Sequence, residues 1–148
     1  LGHELIENCF EVPHIFIGGI AGNGFELAKR LSGIIEKNSS VTVTCFEISI
    51  DKNEPWNHPV ELSTDQKALR KGYIVLVDDV INSGKTLQYA LVKFLEQPTK
   101  AIKTVVLVDR KHRRYPVKAN FVGLSLSTTL QDRVEVDFTK GKTKAFLL

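Results

Sequence analysis

Residues Tyr73-Ile74-Val75-Leu76-Val77 form an apolar run with no polar residue in it, and two acids, Asp78 and Asp79, follow at once. A strand with one wet face alternates apolar and polar residues. A strand without alternation has both faces covered and belongs in the middle of a sheet flanked by helices. Beyond the loop from Asp78 to Gly84, Leu87, Ala90, Leu91, Phe94 and Leu95 mark one stripe of an amphipathic helix. Pro98 lies past its end, and Lys103 to Val108 reads as a second central strand. Strand, loop, helix, strand at this spacing is a βαβ unit, so the fold expected is α/β with a mostly parallel central sheet.

The rest of the chain fits around that unit. Leu1 to Cys9 reads as the end of a helix with Leu5 and Ile6 on its apolar side. His14 to Gly18 is a short strand running into Gly18-Gly19-Ile20-Ala21-Gly22-Asn23-Gly24, a predicted loop with four glycines in seven residues. From Phe25 the period becomes helical, with Leu27, Leu31, Ile34 and Ile35 apolar, until Asn38-Ser39-Ser40 stops it. Val41 to Ile50 is a long β-rich run with Val41, Val43 and Cys45 on one side. Asp51 to Ser63 has two prolines, a lone Trp56 and no period, and reads as a loop or arm. The last third, around Phe121 to Leu124 and Arg133 to Phe138, reads as short strands, and segments near 109 to 138 are expected to build a small hood. No repeat or low-complexity linker interrupts the chain, so residues 1–148 are read as one domain. The chain has no methionine, even at its first position, so its N-terminus is expected to be incomplete.

Charge and composition exclude some classes. Cys9 and Cys45 form no CxxC pair and read as small buried residues of a reducing compartment, not as a zinc site. No run approaches the roughly 18 apolar residues of a membrane span, and no leader-like segment opens the chain, so a cytoplasmic protein is expected. Twenty basic against seventeen acidic residues leaves a formal charge of +3, too little to imply nucleic acid. The excess is local: Arg110, Lys111, Arg113, Arg114 and Lys118 follow Asp109, with His112 among them, and Lys140, Lys142 and Lys144 close the chain. A solvated face is the ordinary meaning of such a run.

Chemistry concentrates after the apolar strand, where an open parallel sheet gathers its ligand groups. Two adjacent carboxylates at a strand end can hold a hydrated divalent cation, accept hydrogen bonds from vicinal hydroxyls, or cap the next helix. Asn82-Ser83-Gly84-Lys85-Thr86 is a small-residue turn entering a helix, whose N–H groups and hydroxyls suit an anion. Acceptors at one end and phosphate donors at the other are what a ribose phosphate needs. Ser83-Gly84-Lys85-Thr86 also matches the end of a nucleoside-triphosphatase loop, but that loop needs a glycine five positions before Gly84, and Asp79 stands there.

Val75 through Thr86 resembles the phosphoribosyl pyrophosphate (PRPP) signature of the type I phosphoribosyltransferases: hydrophobic residues, two acids, two hydrophobic residues, then a small-residue loop closed by Gly, Lys and Thr. His3 to Asn8, the glycine loop followed by Leu27 to Leu31, Leu107 to Arg113 with Pro116, and Ala119 to Gly123 are similar to one branch. That branch is the uracil phosphoribosyltransferases that double as RNA-binding attenuators of pyrimidine genes. The resemblance implies that Asp78 and Asp79 are catalytic and contact the ribose hydroxyls. It implies that Asn82, Ser83, Gly84, Lys85 and Thr86 hold the 5-phosphate. It assigns the pyrophosphate to Gly19, Ile20, Ala21, Gly22, Asn23 and Gly24, and makes Asp51 and Lys52 the arm closing over the donor. Asp109, Arg110, Lys111 and His112 become the base pocket. Mg2+ is the implied cofactor, bound through PRPP and, via water, through the two aspartates. A homo-oligomer, dimer or larger, is implied as well.

The chain departs from the branch at three places. Arginines usual between the glycines are replaced by Ala21, Gly22 and Asn23, so pyrophosphate is expected to be held more weakly. A Tyr-Arg pair of the arm is replaced by Asp51 and Lys52, and an aspartate there suits a pyrophosphate poorly. Lys111 stands where glycine is preferred and is expected to narrow or re-aim the base pocket. The function expected is phosphoribosyl transfer to a nucleobase, uracil first, by attack of the base nitrogen on the anomeric carbon as pyrophosphate leaves. The alternatives are a nucleotide-sensing RNA-binding regulator of pyrimidine genes and a catalytically weakened nucleotide-binding module. RNA is the less favoured partner, because single-stranded recognition wants exposed aromatics and Tyr115 alone accompanies the main basic run.

Overall fold

The computed structural model describes residues 12–125, 134–137 and 144–147. The helix expected at Leu1 to Cys9 lies outside them. Strand β1 (His14–Ile20) leads into helix α1 (Asn23–Asn38), then β2 (Thr42–Ser49) and a two-residue strand β3 (Glu61–Leu62). A short 3-10 turn, Gln66–Leu69, precedes β4 (Tyr73–Ile81), helix α2 (Lys85–Phe94), β5 (Ala101–Asp109) and β6 (Phe121–Ser125). These six strands make one sheet in the order β3-β2-β1-β4-β5-β6, parallel except for β3. Strands β7 (Val134–Asp137) and β8 (Lys144–Leu147) pair antiparallel in a second, two-stranded sheet.

The missing alternation in β4 has the expected cause. Tyr73, Val75 and Val77 pack with Leu27, Ala28, Leu31 and Ile35 of α1 on one face, and Ile74 and Leu76 pack with Leu87, Ala90 and Phe94 of α2 on the other. Fully burying one such large side chain contributes about 1.5–3 kcal/mol. Val41, Val43 and Cys45 do share the α1 face.

Several boundaries differ from the sequence reading. The glycine loop is almost absent: Gly19 and Ile20 belong to β1, Asn23 and Gly24 to α1, and the turn is Ala21-Gly22. A Cβ on Gly19 would lie 2.5 Å from Phe25 Cα, so the glycine serves close packing of helix on strand. The acids Asp78 and Asp79 lie within β4 rather than after it. Ile34 and Leu95 are exposed rather than part of their helices' buried stripes, and Cys45 is half-buried, with burial pushing its thiol pKa up. Phe121–Ser125, expected in the hood, joins the main sheet instead, and β7 pairs with β8, a strand beyond the segments expected to build the hood. Among the described residues no helix is long and apolar enough to cross a membrane.

Candidate functional site

Neighbours β1 and β4 part company at their carboxyl ends: β1 continues through α1 to β2 on one side, and β4 through α2 to β5 on the other. Such a switch point opens a crevice beyond the strands where ligands of open α/β sheets bind. From β1 it receives the Ala21-Gly22 turn and the start of α1. From β4 it receives Asp78, Asp79 and the loop Asn82–Gly84.

The two acids differ. Asp78 is 3% exposed, and its Oδ1 accepts a 2.8 Å hydrogen bond from the Asp79 N–H. The backbone of α1 presses on it, since a Cβ on Gly24 would lie 3.1 Å from the same oxygen. Burial, joined by the neighbouring Asp79 side chain, raises the Asp78 pKa well above the ordinary carboxylate range, against the pull of Lys52. The Lys52 ammonium stands 3.7 Å from Asp78 Oδ1. Asp79 is half-buried, and its Oδ2 accepts a long 3.4 Å contact from Asn23 Nδ2. Asp78 is thus the more enclosed of the two and Asp79 the more accessible.

The loop beyond them is shaped by Gly84, which caps α2 at φ 89 and lies against Val117. The Lys85 N–H donates to Ser83 Oγ at 3.2 Å, which folds the loop onto the start of α2. Behind the loop runs the segment after β5. The N–H groups of Arg114 and Tyr115 both donate to Ser83 O, at 2.8 and 3.0 Å. Arg113 donates to Asn82 O at 3.0 Å, to Val117 O at 3.1 Å and to Asp109 Oδ2 at 2.9 Å. Arg110, 8% exposed, reaches Asn82 Oδ1 at 3.0 Å. Two cations of the basic run therefore brace the loop, a role their spacing in the sequence did not reveal.

The remaining residues fall on either side of this loop. One cavity of about 240 Å³ is lined by Lys52, Asp78, Asn82, Ser83, Lys85 and Thr86, among others. Another of about 300 Å³ is lined by Ser83, Lys85, Arg110, His112, Arg114 and Tyr115, with Asn82. Asp109 spends its carboxylate on Arg113 and on the Lys111 N–H at 2.8 Å. Lys111 does not narrow this cavity: it is exposed and absent from its wall. Its φ of 61 is the left-handed backbone that glycine takes most easily. Asp51 is not aimed at the crevice either. Its Oδ1 accepts from the N–H groups of Asn53 and Glu54 at 3.0 Å each, which hold its pKa below the usual range. Lys52 is the arm residue that faces the acids.

This geometry has relatives. The family described as Phosphoribosyl transferase domain matches residues 3–139. The chain belongs to that family. Among its relatives is the bifunctional protein PyrR of Herpetosiphon aurantiacus, 33% identical over 147 residues, spanning 95% of this chain and 82% of the relative. The PyrR of Pelotomaculum thermopropionicum is 35% identical over 144 residues, spanning 92% and 79%. Solved phosphoribosyltransferases share the fold. A hypoxanthine-guanine phosphoribosyltransferase of Bacillus anthracis superposes with a TM-score of 0.66 at 22% identity over 84% of this chain and 71% of its own. The hypoxanthine phosphoribosyltransferase of Trypanosoma cruzi gives 0.70 at 18% over 84% and 72%. Phosphoribosyltransferase-type chemistry on a nucleobase is the general activity to which this family membership points.

Proposed function

We propose that the chain binds pyrimidine nucleoside 5′-monophosphates and PRPP in the switch-point crevice, and that it works as a nucleotide sensor with weakened phosphoribosyl transfer. The supporting observation is the imbalance of the crevice. Its ribose-phosphate half is complete, with Asp78 and Asp79 beside the braced loop Asn82–Thr86. Its pyrophosphate half is poor in charge: the turn is Ala21-Gly22, Asn23 leans on Asp79, and the one cation of the arm pair is Lys52, 3.7 Å from Asp78. A nucleoside monophosphate such as uridine monophosphate (UMP) needs the first half, whereas PRPP needs both.

In this reading the 5-phosphate lies on the N–H groups and hydroxyls at the start of α2. Asp78 and Asp79 accept hydrogen bonds from the ribose hydroxyls and favour positive charge at the anomeric carbon. Electrostatic placement carries the transfer, and no side chain is assigned as general base. Among the described residues no three His, Cys, Asp or Glu converge on a metal cage. One or two carboxylates beside a phosphate-bearing ligand are nevertheless what Mg2+ takes, and the acid pair fits it. When bound, Mg2+ supplies charge neutralisation to the pyrophosphate. The base, uracil by likeness to the PyrR relatives, lies against the segment Asp109–His112. An assembly of two or more copies belongs to the same reading. RNA is a less favoured partner, because Arg110 and Arg113 are engaged inside and Lys111, Arg114 and Lys118 are the exposed cations of the run.

The second reading is an ordinary phosphoribosyltransferase for uracil, and the intact acid pair is what favours it. A base-by-base assay with PRPP and Mg2+ separates the two. The sensor reading expects slow turnover, with uracil the best base. Turnover of about 10 per second or more, the median for enzymes, moves the conclusion to the enzyme.

A further inference from the structure

The Lys85 side chain does not turn into the phosphate loop from which it springs. Its ammonium donates a 3.0 Å hydrogen bond to the carbonyl of Asn53 and stands 5.9 Å from the centre of the Trp56 ring. Both partners belong to the arm between β2 and β3. Trp56 in turn meets Tyr89 of α2 at 6.3 Å between ring centres, and Tyr89 meets Tyr115 at 6.4 Å. Pro55 is buried, while Trp56 remains 60% exposed. The arm therefore rests on α2 through one ammonium and one aromatic contact. Asn53, the residue Lys85 holds, is next to Lys52, whose ammonium reaches Asp78.

We infer that Lys85 is a positioning residue: it anchors the arm to the phosphate loop and so sets Lys52 over the acid pair. This rests on the crevice being the nucleotide site, and it gives Lys85 a task different from gripping phosphate. A long side chain such as Lys52, 48% exposed, loses rotamer freedom when held in one place. That loss is smaller if the backbone beside it is already fixed. A hydrogen bond from a charged donor and a cation–π contact are interactions strong enough to fix it. PRPP, which carries a pyrophosphate beside the acid pair for Lys52 to meet, gains more from the anchor than UMP, which carries none.

Trp56 is the chain's one tryptophan, so its emission reports on the arm alone. The test compares the wild type with Lys85→Met, Lys85→Arg and Tyr89→Leu. The first readout is acrylamide quenching without ligand; the second is calorimetric affinity for PRPP and for UMP with Mg2+. Lys85→Met is expected to raise quenching and to weaken PRPP binding about tenfold more than UMP binding. Lys85→Arg restores both, and Tyr89→Leu, which leaves the loop untouched, raises quenching by the other contact. Unchanged quenching in Lys85→Met overturns the anchor. An equal loss of both ligands overturns it too, since Lys85 then acts on the phosphate itself. A wild type that binds neither ligand removes the nucleotide reading and with it the role for Lys52, while the quenching result still decides whether Lys85 holds the arm.

Discussion

At the residue scale, burial drives the Asp78 pKa above the ordinary carboxylate range. An aspartate in an unfolded chain ionises near about pH 3.9. In the fold, burial keeps Asp78 protonated to higher pH, so between those two points the native state holds the extra proton. Stability then falls as pH rises through this window and is greatest below it. Asp78→Asn removes the ionisation and retains an oxygen to accept from the Asp79 N–H. Lys52 loses a partner, but an exposed ammonium loses little by that. In metal-free buffer the variant should melt above the wild type at about pH 8, with the gap closing toward acid pH. A gap that stays constant with pH would show that the buried charge is not its cause. Asp78 stood out in the sequence because an acid adjoining so apolar a run has few innocent explanations, although it proves to lie inside β4. Arg113 was not. Its partners Asn82, Asp109 and Val117 are set by tertiary contact, and in the sequence it looked like one more surface cation.

For the elements, periodicity was sufficient where packing is two-sided or striped. Strands β1, β2, β4, β5 and β6 and both helices stand where the pattern of apolar residues put them, within a few residues. The glycine cluster misled because glycines mark close approach as readily as loops. Gly18 lies under the Phe46 ring, Gly19 under Phe25, and Gly24 against Val77 and Asp78. Gly22 at φ 92 and Gly84 at φ 89 are where the backbone itself requires glycine, and a Cβ on Gly84 would also overlap Val117 Cγ1. Gly84→Ala should cost about 1 kcal/mol for the left-handed backbone and about 1–3 kcal/mol for the overlap. Urea denaturation should show that loss as a lower midpoint at constant slope. An unchanged midpoint would mean that the loop relaxes freely and is not held as described. β3 and β8 escaped notice because two- and four-residue strands are defined by their partners, not by a pattern of their own.

For the molecule as a whole, function follows from strand order. The sequence contains the acid pair, the loop and the arm, but β1 beside β4 is a long-range pairing, and it is what brings the Ala21-Gly22 turn opposite Asp79. The family match agrees with that architecture, and in the proposed reading Ala21 and Asn23 leave the pyrophosphate side of the crevice poor in charge. The central claim is that a complete ribose-phosphate half adjoins a poor pyrophosphate half. It is tested most directly by calorimetric titration of UMP and of PRPP with Mg2+ into the wild type and Asp79→Asn. The account predicts that the wild type binds UMP at least as tightly as PRPP, and that Asp79→Asn weakens both by about tenfold or more. A wild type that binds PRPP far more tightly than UMP, or a variant that binds both ligands as the wild type does, would contradict it.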